Sequence, residues 1–149
     1  EYYNISPPRD KRSIDSPGQR PVLRRIDWAL SFDLGDRKGF LGEGILTDHV
    51  FVRWTGVLRA PSDGRYRFLL RSNDGARLTI DGALVIDNEE SPVTREGAGE
   101  AVLKAGDHEF RLEYVERGGD LVMICQWEPP GGKMEVLSVP ALFHRVETK

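Results

Sequence analysis

From Val50 onward the sequence alternates apolar and polar residues again and again, and a period of two is the signature of a half-buried strand. Val50, Val52, Trp54 and Leu58 share one face of Val50–Leu58. Arg65–Arg71 reads Arg-Tyr-Arg-Phe-Leu-Leu-Arg, which turns Tyr66, Phe68 and Leu70 inward. Leu78 and Ile80 alternate with Arg77 and Thr79, with Leu84 and Ile86 expected to follow inward. Phe110, Leu112 and Tyr114 alternate with Glu109, Arg111 and Glu113. Turn residues separate these runs: Pro61-Ser62-Asp63-Gly64, Asn73-Asp74-Gly75, Asp81-Gly82, Ala105-Gly106-Asp107 and Arg117-Gly118-Gly119-Asp120. Many short strands joined by Asp-Gly and Gly-Gly turns form a sandwich or barrel. No segment carries a sustained helical stripe, so the fold class is all-β, a two-sheet antiparallel β-sandwich with little helix.

The remaining segments fit around that frame. Leu121–Trp127 is apolar on both faces, as a central strand covered on each side would be. Glu1–Ile5 reads as an edge strand, and Leu142–His144 as a last short strand beside Tyr2 and Tyr3. Residues 6–21 are rich in Pro, Ser, Gly and charge, which is loop chemistry. The 149 residues suit one domain, 1–149, opening on Glu1 rather than Met as expected of a piece of a longer protein. Asn4-Ile5-Ser6 is formally a glycosylation sequon, a triplet common by chance. No apolar run approaches the ~18–20 residues of a membrane span. The net charge of −3 argues against nucleic acid, whose phosphates call for a basic excess.

Little in the chain suggests catalysis. Cys125 stands alone in the apolar run Leu121–Cys125 and reads as a small buried hydrophobe. His49, His108 and His144 are far apart and lack ligand or triad spacing. No glycine-rich phosphate cradle leads into a helix.

Taken together these segments resemble the PA14 domain family. The resemblance is carried by Val52-Arg53-Trp54-Thr55-Gly56-Val57-Leu58 and by Ala60-Pro61-Ser62-Asp63-Gly64-Arg65-Tyr66-Arg67-Phe68. It continues through Ser72-Asn73-Asp74-Gly75-Ala76-Arg77-Leu78, Ile80-Asp81-Gly82 and Gly106-Asp107-His108 leading to Tyr114. It implies a jelly-roll-like sandwich found in bacterial toxins, glycosidases and fungal adhesins, where it serves as a carbohydrate-recognition or accessory module and not as a catalyst. It also implies an extracellular or cell-surface location, with a glycan or cell-wall polysaccharide and the other domains of a larger parent protein as partners.

The resemblance further implies a site. In the calcium-dependent sugar-binding members, two consecutive aspartates joined by a cis peptide hold Ca²⁺, which holds sugar hydroxyls. Asn73 and Asp74 occupy those positions, so one carboxylate is replaced by a carboxamide that keeps an oxygen ligand and loses a charge. The loop after Tyr114 would complete the set, with Glu116 or Asp120 as carboxylate donors and Arg117 beside them. Asn73, Asp74, Glu116 and Asp120 are thus the expected calcium ligands. The same four with Arg117 and Trp28 are the expected carbohydrate contacts, Trp28 as a stacking face. Asn-Asp-Gly is equally what a tight hairpin turn requires, and at this point both readings stand. Trp54, Trp127 and His108 read as structural. Two further functions remain open: a spacer that positions a neighbouring catalytic or toxin domain, and an acidic-polysaccharide binder using Arg65, Arg67 and Arg71.

Overall fold

The computed structural model describes residues 1–5, 18–35, 41–46, 48–88 and 91–144. Residues 6–17 of the expected irregular segment lie outside the described residues. The chain forms two antiparallel sheets. The first has the order β1 (Tyr2–Asn4), β3 (Val50–Ala60), β8 (Gly106–Glu116), β5 (Gly75–Ile80) and β6 (Ala83–Asn88), with β11 (Leu142–Phe143) also on β3. The second has the order β10 (Glu135–Val136), β9 (Leu121–Glu128), β4 (Gly64–Asn73) and β7 (Arg95–Leu103), with β2 (Ser31–Gly35) also on β9. Among the described residues there is no helix.

The inward faces are those the alternation marks. Tyr66, Phe68 and Leu70 of β4 meet Leu78, Phe110, Leu112 and Tyr114 of the facing sheet, all buried. Burying a side chain of this size is worth about 1.5–3 kcal/mol, so the core is the main stabilising element. Cys125 is fully buried, and burial pushes its thiol up to about 12. Trp127 stacks on Tyr66 with ring centroids 5.5 Å apart.

Four details depart from the expected pattern. Leu84 is exposed, because the register between β5 and β6 shifts after Leu78, which pairs Ile86 while Thr79 pairs Leu84. The extra residue, Val85, breaks the period of two at that point. β1 and β11 do not lie beside each other: both pair with β3, β1 at Val50–Val52 and β11 at Val57–Leu58. β2 was not expected, being short and set among loop residues.

β7 was not expected either, since Arg95–Leu103 carries Gly97, Gly99 and Ala101 where core aliphatics would stand. The small residues are required by proximity. A Cβ on Gly99 would lie 2.3 Å from the Val85 carbonyl oxygen, and one on Gly97 would lie 2.1 Å from Asn88 Oδ1. The edges of the two sheets close on each other there, and only a residue without a side chain fits. Asn88 spans this seam, donating from Nδ2 to the Leu70 carbonyl and Ser72 Oγ of β4.

Candidate functional site

Asn73-Asp74-Gly75 is not a hairpin tip. β4 ends at Asn73 in one sheet and β5 begins at Gly75 in the other, so the chain crosses between sheets at Asp74. Asn73 pairs with Val122 of β9, whereas Gly75 pairs with Val115 of β8. The expectation of a hairpin there is corrected by this pairing: a hairpin would have joined β4 to β5. The Asn73–Asp74 peptide bond is cis. The segment 117–120 makes the same exchange of sheets, from β8 to β9, immediately alongside. Two crossovers therefore meet at one end of the sandwich, which brings Asp74 to the backbone of Arg117.

The resulting cluster is acidic and buried. Asn73 and Asp74 are 5% and 6% exposed, and Glu116 is fully buried. Asp74 Oδ2 accepts from the Arg117 amide at 2.7 Å, and Asp74 N donates to the Val115 carbonyl at 3.3 Å. Glu116 Oε1 accepts from the Gly118 amide at 2.6 Å and Oε2 from the Tyr114 hydroxyl at 2.8 Å. The same hydroxyl donates to the Asn73 carbonyl. Burial pushes the Glu116 carboxyl up to about 7, with the charges of Asp74 and Asp48 adding to the rise and the bonds from Tyr114 and Gly118 opposing it. Tyr114 is raised as well, by burial first and then by the neighbouring Glu116. One phenol proton faces two acceptors. A protonated Glu116 relieves that shortage by donating to the Tyr114 oxygen.

Asn73 Oδ1 is the exception in this network. It is buried and, among the described residues, has no hydrogen-bond partner. A buried acceptor left unmet costs about 1–3 kcal/mol, a cost that a donor or a cation brought to this oxygen would relieve. Hard oxygens suit calcium, and Asn73 Oδ1 with the Asp74 carboxylate supplies two such donor groups side by side. Glu116 lies behind them, its two oxygens holding Tyr114 and Gly118. Asp120 is exposed. Among the described residues no three His, Cys, Asp or Glu side chains form a group able to hold a metal ion. Calcium here would rest on amide and carbonyl oxygens as much as on carboxylates.

Trp28 is not part of this cluster. Its carbonyl accepts from Val139, and its indole is 73% exposed. Leu30, two residues on, bonds Cys125, which lies three residues along β9 from Val122. At about 3.3 Å per residue Trp28 stands well away from Asp74. Arg65, Arg67 and Arg71 do share an open face, but each is paired, with Glu100, Glu128 and Asp33 respectively. Those pairings remove the basic excess that an acidic-polysaccharide surface requires. His108 has a structural role: Nδ1 meets Asp81 Oδ2 at 2.6 Å and Nε2 meets the Lys104 carbonyl at 2.7 Å. Asn4 also holds structure, its side chain bonding Gly44 and Leu46. The sequence reading did not anticipate Tyr114 as more than a core residue, or Asp48 beside Glu116.

The model of the PA14 domain family matches residues 36–139. The chain is 29% identical over 120 residues to the anti-sigma-I factor RsgI3 of Acetivibrio thermocellus, spanning 80% of this chain but 18% of that protein. A solved anti-sigma factor domain-containing protein superposes over 99% of this chain and 48% of its own, with a TM-score of 0.81 at 27% identity. The PA14 sugar-binding domain from an RTX adhesin superposes over 78% of this chain and 73% of its own, with a TM-score of 0.58 at 27% identity. The chain thus spans less than half the length of the anti-sigma proteins it matches.

Proposed function

Because this chain belongs to the PA14 domain family, we propose that it is a non-catalytic carbohydrate-binding module of a larger secreted or cell-surface protein, binding glycan through the crossover at Asn73 and Asp74. The observation that carries this reading is the buried, partnerless Asn73 Oδ1 next to the buried Asp74 carboxylate, at the end of the sandwich where two crossovers meet. The similarity to a sugar-binding domain from an adhesin supports the ligand class. The similarity to anti-sigma proteins supports a place within a longer chain.

Calcium fits the donors present. Asn73 and Asp74 would hold it, and its open coordination positions would accept sugar hydroxyls. The protein's own part is to fix those two residues. The Tyr114 hydroxyl holds the Asn73 carbonyl, the Arg117 amide orients Asp74, and Glu116 ties the neighbouring loop to Tyr114 through Gly118.

A glycan array followed by calorimetry, with calcium and with EDTA, tests the proposal. Binding is expected in calcium and is lost in Asp74→Ala and Asp74→Asn, the second variant preserving shape. Silence on every glycan in both conditions refutes it and leaves the spacer reading in its place.

A further inference from the structure

A second concave site lies elsewhere on the molecule. β3 is paired by β1 up to Val52 and by β11 from Val57, so Trp54–Gly56 have no strand beside them on that edge among the described residues. A cavity of about 470 Å³ opens there, within the ~300–1,000 Å³ range of small-ligand sites. Trp54, Phe110, Leu30 and Leu142 give it an apolar floor. Trp54 is on the inward face of β3, yet only part of its ring is covered, by Tyr2 and Phe32 with centroids 6.1 and 5.6 Å away. Its Nε1 donates to Asp27 Oδ2 at 2.7 Å, which fixes the indole plane.

The mouth is polar, and its arginines are paired. Arg24 pairs with Glu1 at 3.2 Å, Arg25 with Asp27 at 2.8 Å, and Arg53 with Glu113 at 3.2 Å and Glu1 at 3.6 Å. Such pairs present donors and acceptors at fixed positions, each guanidinium already holding a carboxylate, so a hydroxyl-rich ligand can satisfy both kinds of group. Thr55 adds an exposed hydroxyl. The rim is also apolar, with Ile26 65% exposed and Val139 43%; next to it, outside the lining, stands Trp28, 73% exposed, its backbone carbonyl accepting from Val139 N. An apolar floor, an exposed aromatic beside the rim and paired charges match a pyranose, which has one C–H face and a ring of hydroxyls.

We propose that this cavity is a second carbohydrate subsite, independent of Asn73 and Asp74, that takes a neutral sugar ring over Trp54 while an adjoining ring rests on Trp28. The idea deepens the glycan-binding reading and shares its ligand class, but uses a different part of the fold and no metal.

The test uses β-lactose, cellohexaose and xylohexaose as neutral probes and tri-galacturonate as a charged one, in EDTA, against the whole chain. Thr55→Trp fills the mouth and Trp28→Ala removes the adjoining aromatic face, and both positions are exposed enough to leave the fold intact. At least one neutral probe is expected to bind, to shift the Trp54 indole N–H resonance, and to weaken about tenfold in each variant. Asp74→Ala should leave that binding unchanged. If neutral sugars bind but neither variant weakens them, or if tri-galacturonate is preferred at the cavity, this inference falls while the crossover site stands. If binding survives Asp74→Ala and EDTA but not Thr55→Trp, the cavity is confirmed; the crossover site falls only if, in addition, calcium adds no binding that Asp74→Ala removes. If no probe binds under any condition, both are refuted.

Discussion

Tyr114→Phe deletes one oxygen atom from the centre of the crossover site. The parent hydroxyl is 1% exposed and touches both the Asn73 carbonyl and Glu116 Oε2. Removing it leaves two buried groups, the Asn73 carbonyl and the Glu116 carboxyl, without the hydroxyl they share. Each stranded buried acceptor costs about 1–3 kcal/mol. A protonated Glu116 can redirect its own proton and recover part of this, which leaves a net loss of about 2–4 kcal/mol. At about 2–4 °C per kcal/mol for a chain of this length, Tm should fall by about 5–15 °C. Tyr3→Phe is the matched control, because the Tyr3 hydroxyl bonds Glu1 Oε2 at 3.0 Å in a less enclosed setting. It should cost less than about 1 kcal/mol. Thermal and urea unfolding followed by circular dichroism measures both. Glycan affinity, taken at a temperature where both variants are folded, should drop only for Tyr114→Phe. Equal stability of the two variants would refute the claim that this hydroxyl organises the crossover.

Gly99→Ala should lower stability by about 1–3 kcal/mol, since the new methyl meets a backbone oxygen that cannot swing aside. Gly18→Ala has nothing within 4 Å and should be neutral or slightly stabilising in the same melts. The His108–Asp81 pair predicts a pH optimum. Burial alone would lower the His108 pKa, but its bonds to Asp81 and the Lys104 carbonyl carry it above 6.5, so its contribution is complete below 6.5 and fades as pH rises through the folded value. Burial would raise Asp81, but His108 and the Glu109 amide hold it below 3.8, so its contribution is complete above 3.8 and fades as pH falls. Tm against pH should therefore drop more steeply above pH 6.5 in the parent than in His108→Gln, and parallel curves would count against the pairing. Asn73→Asp adds a second buried carboxylate: the metal-free protein should melt lower and the calcium-induced rise in Tm should grow, as differential scanning fluorimetry would show.

The fold was largely legible because β3, β4, β5 and β8 obey an alternation that reports burial directly. Tyr66, Phe68 and Leu70 face inward for the reason their spacing gives. β7 escaped notice because Gly97 and Gly99 answer to the nearness of Asn88 and Val85, neighbours on another strand that the local pattern does not reveal. Leu84 was misplaced for a related reason. A bulge is set by the partner strand, and the single residue it inserts reverses every face beyond it.

The site shows the same division in sharper form. Asn73-Asp74-Gly75 is locally the sequence of a tight turn, and nothing within those three residues separates a turn between paired strands from a passage between sheets. The distinction rests on which strand receives Gly75. Val115 does, because Leu78 pairs Leu112 and Ile80 pairs Phe110, so the apolar residues of β5 and β8 reach the core together. The core thus decides that Asp74 is carried across the sandwich to the Arg117 loop instead of standing out on a hairpin. Resemblance singled out these two residues, and long-range pairing gives them a buried carboxylate and an unmet amide oxygen, the features on which the proposed recognition would depend.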